Sequence, residues 1–272
     1  MEFHGAATIQ EAAELPQQER FRNWLVQEKN LSLSTVQKVI KNGKAAMNWA
    51  YKRGELEIVP YFELVKLPDP EPKGRALEIE EMACLFRHAD QHHLKLFILL
   101  LMGTLARPQA IVELEFGQID FKRRIIELNP EGRTQTQKVR PTVKLPDALV
   151  AILQMEKAKG IHQRVITFKG EPVKNLKRSW GSMRSKSELQ GSVLPYSVRH
   201  TMARWLREQG VPAWEVAEQL GHRGSSYRVT EICTSHSPDY LGHAVKAIDE
   251  YFAKFACEMR VNDVSELMIR NP

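Results

Sequence analysis

The sequence predicts a mainly helical protein with a small antiparallel β-sheet, an α+β chain in two domains. Three observations carry that expectation. Apolar residues recur at helical spacing near the N-terminus and again through the last third of the chain. Only two longer stretches, residues 118–128 and 139–145, are rich in Ile and Val, and they flank the turn signal Asn129-Pro130-Glu131-Gly132. Between Leu67 and Gly74, Pro68, Pro70 and Pro72 form a stiff connector, which places the boundary between residues 1–70 and 75–272. A length of 272 residues suits one large domain or two modest ones, and favours two.

Taken in order, residues 18–28 bring Phe21, Trp24 and Leu25 to one side of a helix. A second helix runs from about Ser34, with Ser32 or Ser34 as cap and Val36, Val39, Ile40, Ala46, Met47 and Ala50 as its inward stripe. Lys38, Lys41, Lys44 and Lys52 interleave with that stripe and point outward, followed by Arg53. Beyond the connector, residues 78–89 and 94–102 read as helices. The second is apolar nearly all round and belongs at the centre of the larger domain. Residues 164–168 offer a third strand for the sheet, and from Tyr196 the pattern is helical to about Met259.

Composition excludes several classes. Hydrophobic residues are 43% and charged residues 26%, so the chain is globular, neither disordered nor fibrous. The longest apolar run, residues 94–101, is broken by Lys95 and falls far short of the roughly 20 residues a bilayer requires, so no membrane partner is expected. No export signal stands at the N-terminus. Cys84, Cys233 and Cys257 are an odd number without metal-ligand spacing, which predicts no disulfide framework, no metal and a cytoplasmic setting.

Net charge is +6, and its placement matters more than its sum. Residues 29–53 hold Lys29, Lys38, Lys41, Lys44, Lys52 and Arg53 and no acid. Residues 164–186 hold Arg164, Lys169, Lys174, Lys177, Arg178, Arg184 and Lys186 against Glu171 alone. Two positive patches in a nearly balanced chain suit a polyanion backbone, because each neutralised phosphate releases counterions.

Two helix starts concern chemistry. Arg107 precedes Pro108, so it leaves helical geometry just where proline opens a helix and backbone amides favour an anion. Leu194-Pro195-Tyr196-Ser197-Val198-Arg199-His200-Thr201 is a second proline-led start, and Gln219-Leu220-Gly221-His222 follows 20 to 23 residues beyond Arg199.

In that order, with the paired strands between them, these pieces resemble the catalytic domain of the tyrosine recombinases, the phage integrase family. The resemblance covers about residues 75–251. The basic helical unit before it is similar to the family's core-binding domain, shortened. It implies transfer of a DNA phosphodiester to a protein hydroxyl and back, on double-stranded DNA and without cofactor. Arg107 and Arg199 match the arginines that grip the scissile phosphate, His222 the histidine donor beside them, and Tyr196 a position where many members carry histidine. The lysines 38, 41, 44 and 52, Arg53, Lys174, Lys177 and Arg178 are expected on the DNA backbone.

Two positions depart from the family pattern. The lysine that protonates the leaving 5′-oxygen has Lys138, Gln135 or Gln137 as its counterpart, and the sequence leaves the three open. The nucleophilic tyrosine matches Cys233, whose sulfur on the same backbone falls short of the phosphorus. Tyr227 and Tyr240 are the nearby substitutes. The amphipathic helix near the end of the chain, with Leu241, Ala244, Val245, Ile248, Tyr251, Phe252 and Phe255, docks on a neighbouring protomer in the family or packs on its own domain. Three functions therefore compete: an impaired recombinase, an inactive DNA-binding protein of the same fold, and a helix-turn-helix repressor built on residues 211–221.

Overall fold

The computed structural model describes residues 3–5, 7–64, 73–160, 162–222 and 237–269. It divides into two compact units, Met1–Glu71 and Pro72–Pro272.

In the first unit a single-turn helix α1 (Ile9–Ala12), capped by Thr8, leads to α2 (Leu15–Gln27) and α3 (Leu33–Lys52). Ser32 caps α3 by accepting from the Thr35 amide. The core is small: Leu25, Val36 and Ile40, flanked by Phe21, Trp24, Val26, Leu31 and Phe62. Gln18 is buried and binds an extended segment to α2, its amide donating to the Ala13 and Tyr61 carbonyls and its oxygen accepting from the Glu63 amide. The inward stripe is narrower than the sequence predicts. Val39 and Ala46 are exposed, and Lys44 is half-buried at the edge, because one facing helix shelters only a narrow arc of α3. Lys38, Lys41, Lys52 and Arg53 are exposed.

The second unit is built around α5 (His92–Thr104), buried along almost its whole length. Packed on or near it are α4 (Ile79–Arg87), α6 (Pro108–Val112), α7 (Asp147–Ala158), α8 (Lys177–Ser187), α9 (Pro195–Glu208), α10 (Ala213–Leu220) and α11 (Gly242–Glu258). The sheet is antiparallel in the order β1 (Ile119–Asp120), β2 (Ile125–Glu127), β3 (Thr142–Lys144), with Ile126 opposite Val143. Two expectations are corrected here. Residues 118–128 form two strands instead of one, because the chain reverses at residues 121–124 with Arg124 at φ 56°. Residues 164–168 do not join this sheet. Arg164 makes one bridge to Glu115, and β4 (Thr167–Phe168) folds back on β5 (Glu171–Pro172) through Lys169-Gly170, both at positive φ.

The apolar face of α11 packs within its own domain. Ala244, Ala247, Ile248, Tyr251, Phe252, Phe255 and Ala256 are buried, Phe255 meets Phe86 edge-on at 5.5 Å, and the Trp205 indole donates to the Ala247 carbonyl at 2.7 Å. Of the two readings the sequence leaves for this helix, packing on its own domain accounts for this face, and drawing the helix away would expose the core.

Asp249 of α11 accepts from the Asp147 amide at the start of α7. Burial, and then the neighbouring Asp147 carboxylate, push its pKa up to about 6. The unfolded chain ionises this group near 3.8, so the penalty grows between those values and is constant above about 6. Asp249→Asn is therefore expected to raise stability at pH 7.5 by about 1 kcal/mol, the full linkage being reduced because the carboxyl is half in water, and to change little at pH 3.5. Thermal melts of both proteins at the two pH values measure this; an equal effect at both would refute it.

Candidate functional site

The site forms where α6, α9 and α10 begin or end. The C-cap of α5, Leu105, takes a left-handed conformation at φ 52°, which turns the chain so that Ala106 and Arg107 lead into Pro108. Arg107 is the N-cap of α6, and its Nη1 donates to the Val139 carbonyl. Arg199, in the second turn of α9, is 5% exposed. Its Nη1 donates to the Leu105 carbonyl, and its Nη2 donates to the Leu220 carbonyl at 2.6 Å and lies 3.4 Å from His222 Nε2.

No acidic side chain among the described residues pairs with either guanidinium. Burial pushes the Arg199 pKa down to about 10, with Arg107 adding to the effect, so the group still carries its charge at neutral pH. Burial also lowers Arg107, and Arg140 adds to that, with Tyr196 in the first turn of α9 beside both guanidiniums. His222 is exposed as a residue, but its ring faces the cleft, where burial, then Arg199 and Arg107, lower its pKa. Arg107 and His222 line one hollow, and the Arg199 guanidinium does not line it but lies buried behind the His222 ring, so that the hollow is positive and suits a bound anion with several acceptor oxygens.

Gly221 lets these pieces meet. It ends α10 at φ 62°, and a methyl group there would lie 2.7 Å from Pro141 Cδ and 2.8 Å from the Val139 carbonyl oxygen, the oxygen that holds Arg107. The resulting cleft of about 610 Å³ is lined by Arg107, Gln135, Thr136, Gln137, Val139, Gly221 and His222.

Of the three residues left open for the general-acid position, Gln135 and Gln137 line the cleft, whereas Lys138 is exposed and outside the lining. The reason is local. The Gln135 amide donates to the Arg140 carbonyl and its oxygen accepts from the Arg140 amide, which closes residues 135–140 into a loop that turns Lys138 outward. Arg140 was not foreseen: nothing periodic marks it. It pairs with Glu113, the C-cap of α6, at 2.7 Å, and one of its guanidinium nitrogens is buried with no partner among the described residues.

Cys233 and Tyr227 lie outside the described residues. Tyr240, in a short 3₁₀ turn (Pro238–Tyr240), is exposed and does not line the cleft. Lys174, Lys177 and Arg178 are exposed before and within the first turn of α8, while two other cations of that basic stretch are paired, Arg164 with Glu115 and Lys186 with Asp90. The helix-turn-helix alternative meets a difficulty at α10, where Glu215, Val216, Gln219 and Leu220 are all buried, so that helix presents little free face to a DNA groove. Among the described residues no cluster of His, Cys, Asp and Glu could hold a metal ion, and no helix is long and apolar enough to cross a membrane.

Comparison with known proteins bears on the family and the fold. The model of the phage integrase family matches residues 75–236. The integrase of Salmonella phage P22 is 24% identical over 213 residues, covering 73% of this chain and 53% of that protein, so the chain spans about half the length of that relative. Among solved structures, the Tn1549 transposon integrase in complex with transposon right end DNA superimposes with a TM-score of 0.64 at 19% identity, over 88% of this chain and 86% of that one. The XerH site-specific recombinase bound to palindromic difH substrate gives a TM-score of 0.58 at 16% identity, over 84% and 71%. At these identities the structural likeness speaks for the fold, and the family match, over more than half of the sequence, makes this chain a member of the phage integrase family, the tyrosine recombinases.

Proposed function

We propose that the chain binds double-stranded DNA and grips one phosphodiester between Arg107, Arg199 and His222, as a site-specific recombinase whose strand-transfer step is impaired at Cys233. The supporting observation is the Arg199 guanidinium, buried, bonded among the described residues to main-chain carbonyls and the His222 ring, and placed close enough to Arg107 to feel its charge, with no carboxylate of the described residues paired to either. Such a pair of like charges is unfavourable alone and becomes favourable around an anion. A phosphodiester supplies two non-bridging oxygens for the two planar donors.

In the full reaction the nucleophile bonds to phosphorus as the bond to the 5′-oxygen breaks, and that oxygen takes up a proton. Return attack by a 5′-hydroxyl releases the protein and rejoins the strand. Bond energy is kept in the covalent intermediate, so this chemistry calls for no nucleotide or metal. In this reading residues 1–70 are a shortened core-binding domain, with Lys38, Lys41, Lys52 and Arg53 on the DNA backbone. Residues 75–272 are the catalytic domain, with Lys174, Lys177 and Arg178 as further phosphate contacts. Assembly of several copies on DNA would use surfaces other than the buried face of α11.

A binding protein without turnover is the second reading. It is favoured by the amides of Gln135 and Gln137, which stand on the cleft wall where the family's lysine is expected, since an amide has no proton to give the leaving oxygen. Denaturing gels of the full chain with a library of nicked suicide duplexes separate the two. The native chain is expected to give no stable adduct, Cys233→Tyr to give one, and added Gln135→Lys to increase it. A native adduct that persists in Cys233→Ala would overturn the assignment of Cys233. A Cys233→Tyr/Gln135→Lys chain that binds DNA but forms no adduct would favour the second reading.

A further inference from the structure

The outer face of α3 carries one residue that charge alone does not explain. Lys38, Lys41, Ala45, Trp49 and Lys52 follow one another at spacings of three and four, so they form a single stripe, opposite the buried Val36 and Ile40. Trp49 is 58% exposed at the C-terminal end of this stripe, its ring supported by the Arg53 guanidinium at 4.6 Å from the centroid. Lys38, Lys41 and Lys52 have no acidic partner among the described residues. Ala45 and Ala46, one turn before Trp49, offer only small side chains on that side of the indole. Arg53 itself pairs with Glu55 at 3.0 Å, so the unpaired charge of the stripe lies with its three lysines, and an indole in line with them suits a polyanion that also offers apolar surface, which a DNA groove does through its sugars and thymine methyl groups.

We infer that Trp49 is the uncharged contact of the DNA interface: α3 lies with its outer face along a groove, the lysines meet phosphates on either side, and the indole packs against sugar and base edges between them. From Lys38 to Lys52 the stripe is about 21 Å long, enough to follow a groove for about half a helical turn. This inference rests on the reading of α3 as a DNA face, and the test distinguishes the two.

The binding of the full chain to a mixed-sequence duplex is measured by fluorescence anisotropy over a series of salt concentrations. Changing Lys38, Lys41 and Lys52 together to glutamine should flatten the dependence of log affinity on log salt by about two to three, because each lost phosphate contact removes about 0.9. Trp49→Ala should weaken binding about tenfold with that slope unchanged, since apolar contact releases no counterions, and Trp49→Phe should recover most of the loss. Circular dichroism melts check that the exposed substitutions leave the helix intact. If the lysine variant changes neither affinity nor slope, α3 is not a DNA face and the inference falls with it. If the lysine variant flattens the slope while Trp49→Ala binds like the native chain, the DNA face stands and the role of Trp49 is overturned.

Discussion

Arg199→Ala is expected to weaken DNA binding by a hundredfold or more and to destabilise the fold at the same time. The guanidinium is 5% exposed, so its contact with a phosphate would be made away from water, where a charge-assisted pair is worth several kcal/mol, unlike an exposed lysine contact. Its removal also leaves the Leu105 and Leu220 carbonyls without their donor, at about 1–3 kcal/mol for each buried acceptor that water cannot reach. Arg199→Lys separates the two effects. It restores the charge but not the fork that spans both carbonyls, so affinity should stay well below native. Anisotropy titrations and thermal melts of the three proteins measure this. Native affinity in Arg199→Ala would remove the phosphate site from the α9 start altogether.

Gly221→Ala should lower the melting temperature by about 5–10 °C. The left-handed backbone costs about 1–2 kcal/mol for any residue with a Cβ, and the methyl would press on Pro141 Cδ at 2.7 Å and on the Val139 oxygen at 2.8 Å, which are ring and main-chain atoms that cannot swing aside. Because Val139 also accepts from Arg107, the strain should spread to the phosphate grip. In a double-mutant cycle with Arg107→Ala, the two losses in DNA affinity should then be less than additive, since each disturbs the same contact. Full additivity would show that the 135–141 loop does not hold Arg107, and an unchanged melting temperature would show that the loop gives way freely.

The features legible in the sequence were those written into neighbouring residues. Helical spacing marks α2, α3, α9 and α11 because burial of one face repeats every three or four residues. Pro108 and Pro195 mark their helix starts because proline suits the first turn and nothing later in a helix. The order of Arg107, Arg199 and Leu220-Gly221-His222 along the chain carries the family resemblance. Less legible were the short strands. Residues 118–128 read as one strand, because a reversal at Arg124, a residue with no special liking for positive φ, leaves no signal of the kind glycine would.

What the sequence by itself determined is therefore most of the helices, though not α1, α7 or α8, together with the basic face of α3 and the family of the larger domain, all of which depend on local pattern. Only the tertiary structure decided that Arg199 is buried with no counter-charge among the described residues, that Gln135 and Gln137 and not Lys138 line the cleft, and that α11 covers its own core. Those outcomes turn on contacts between residues far apart in the chain. Burial of a charge and the direction of a loop side chain are set by what packs against them, and no spacing within the loop itself records that.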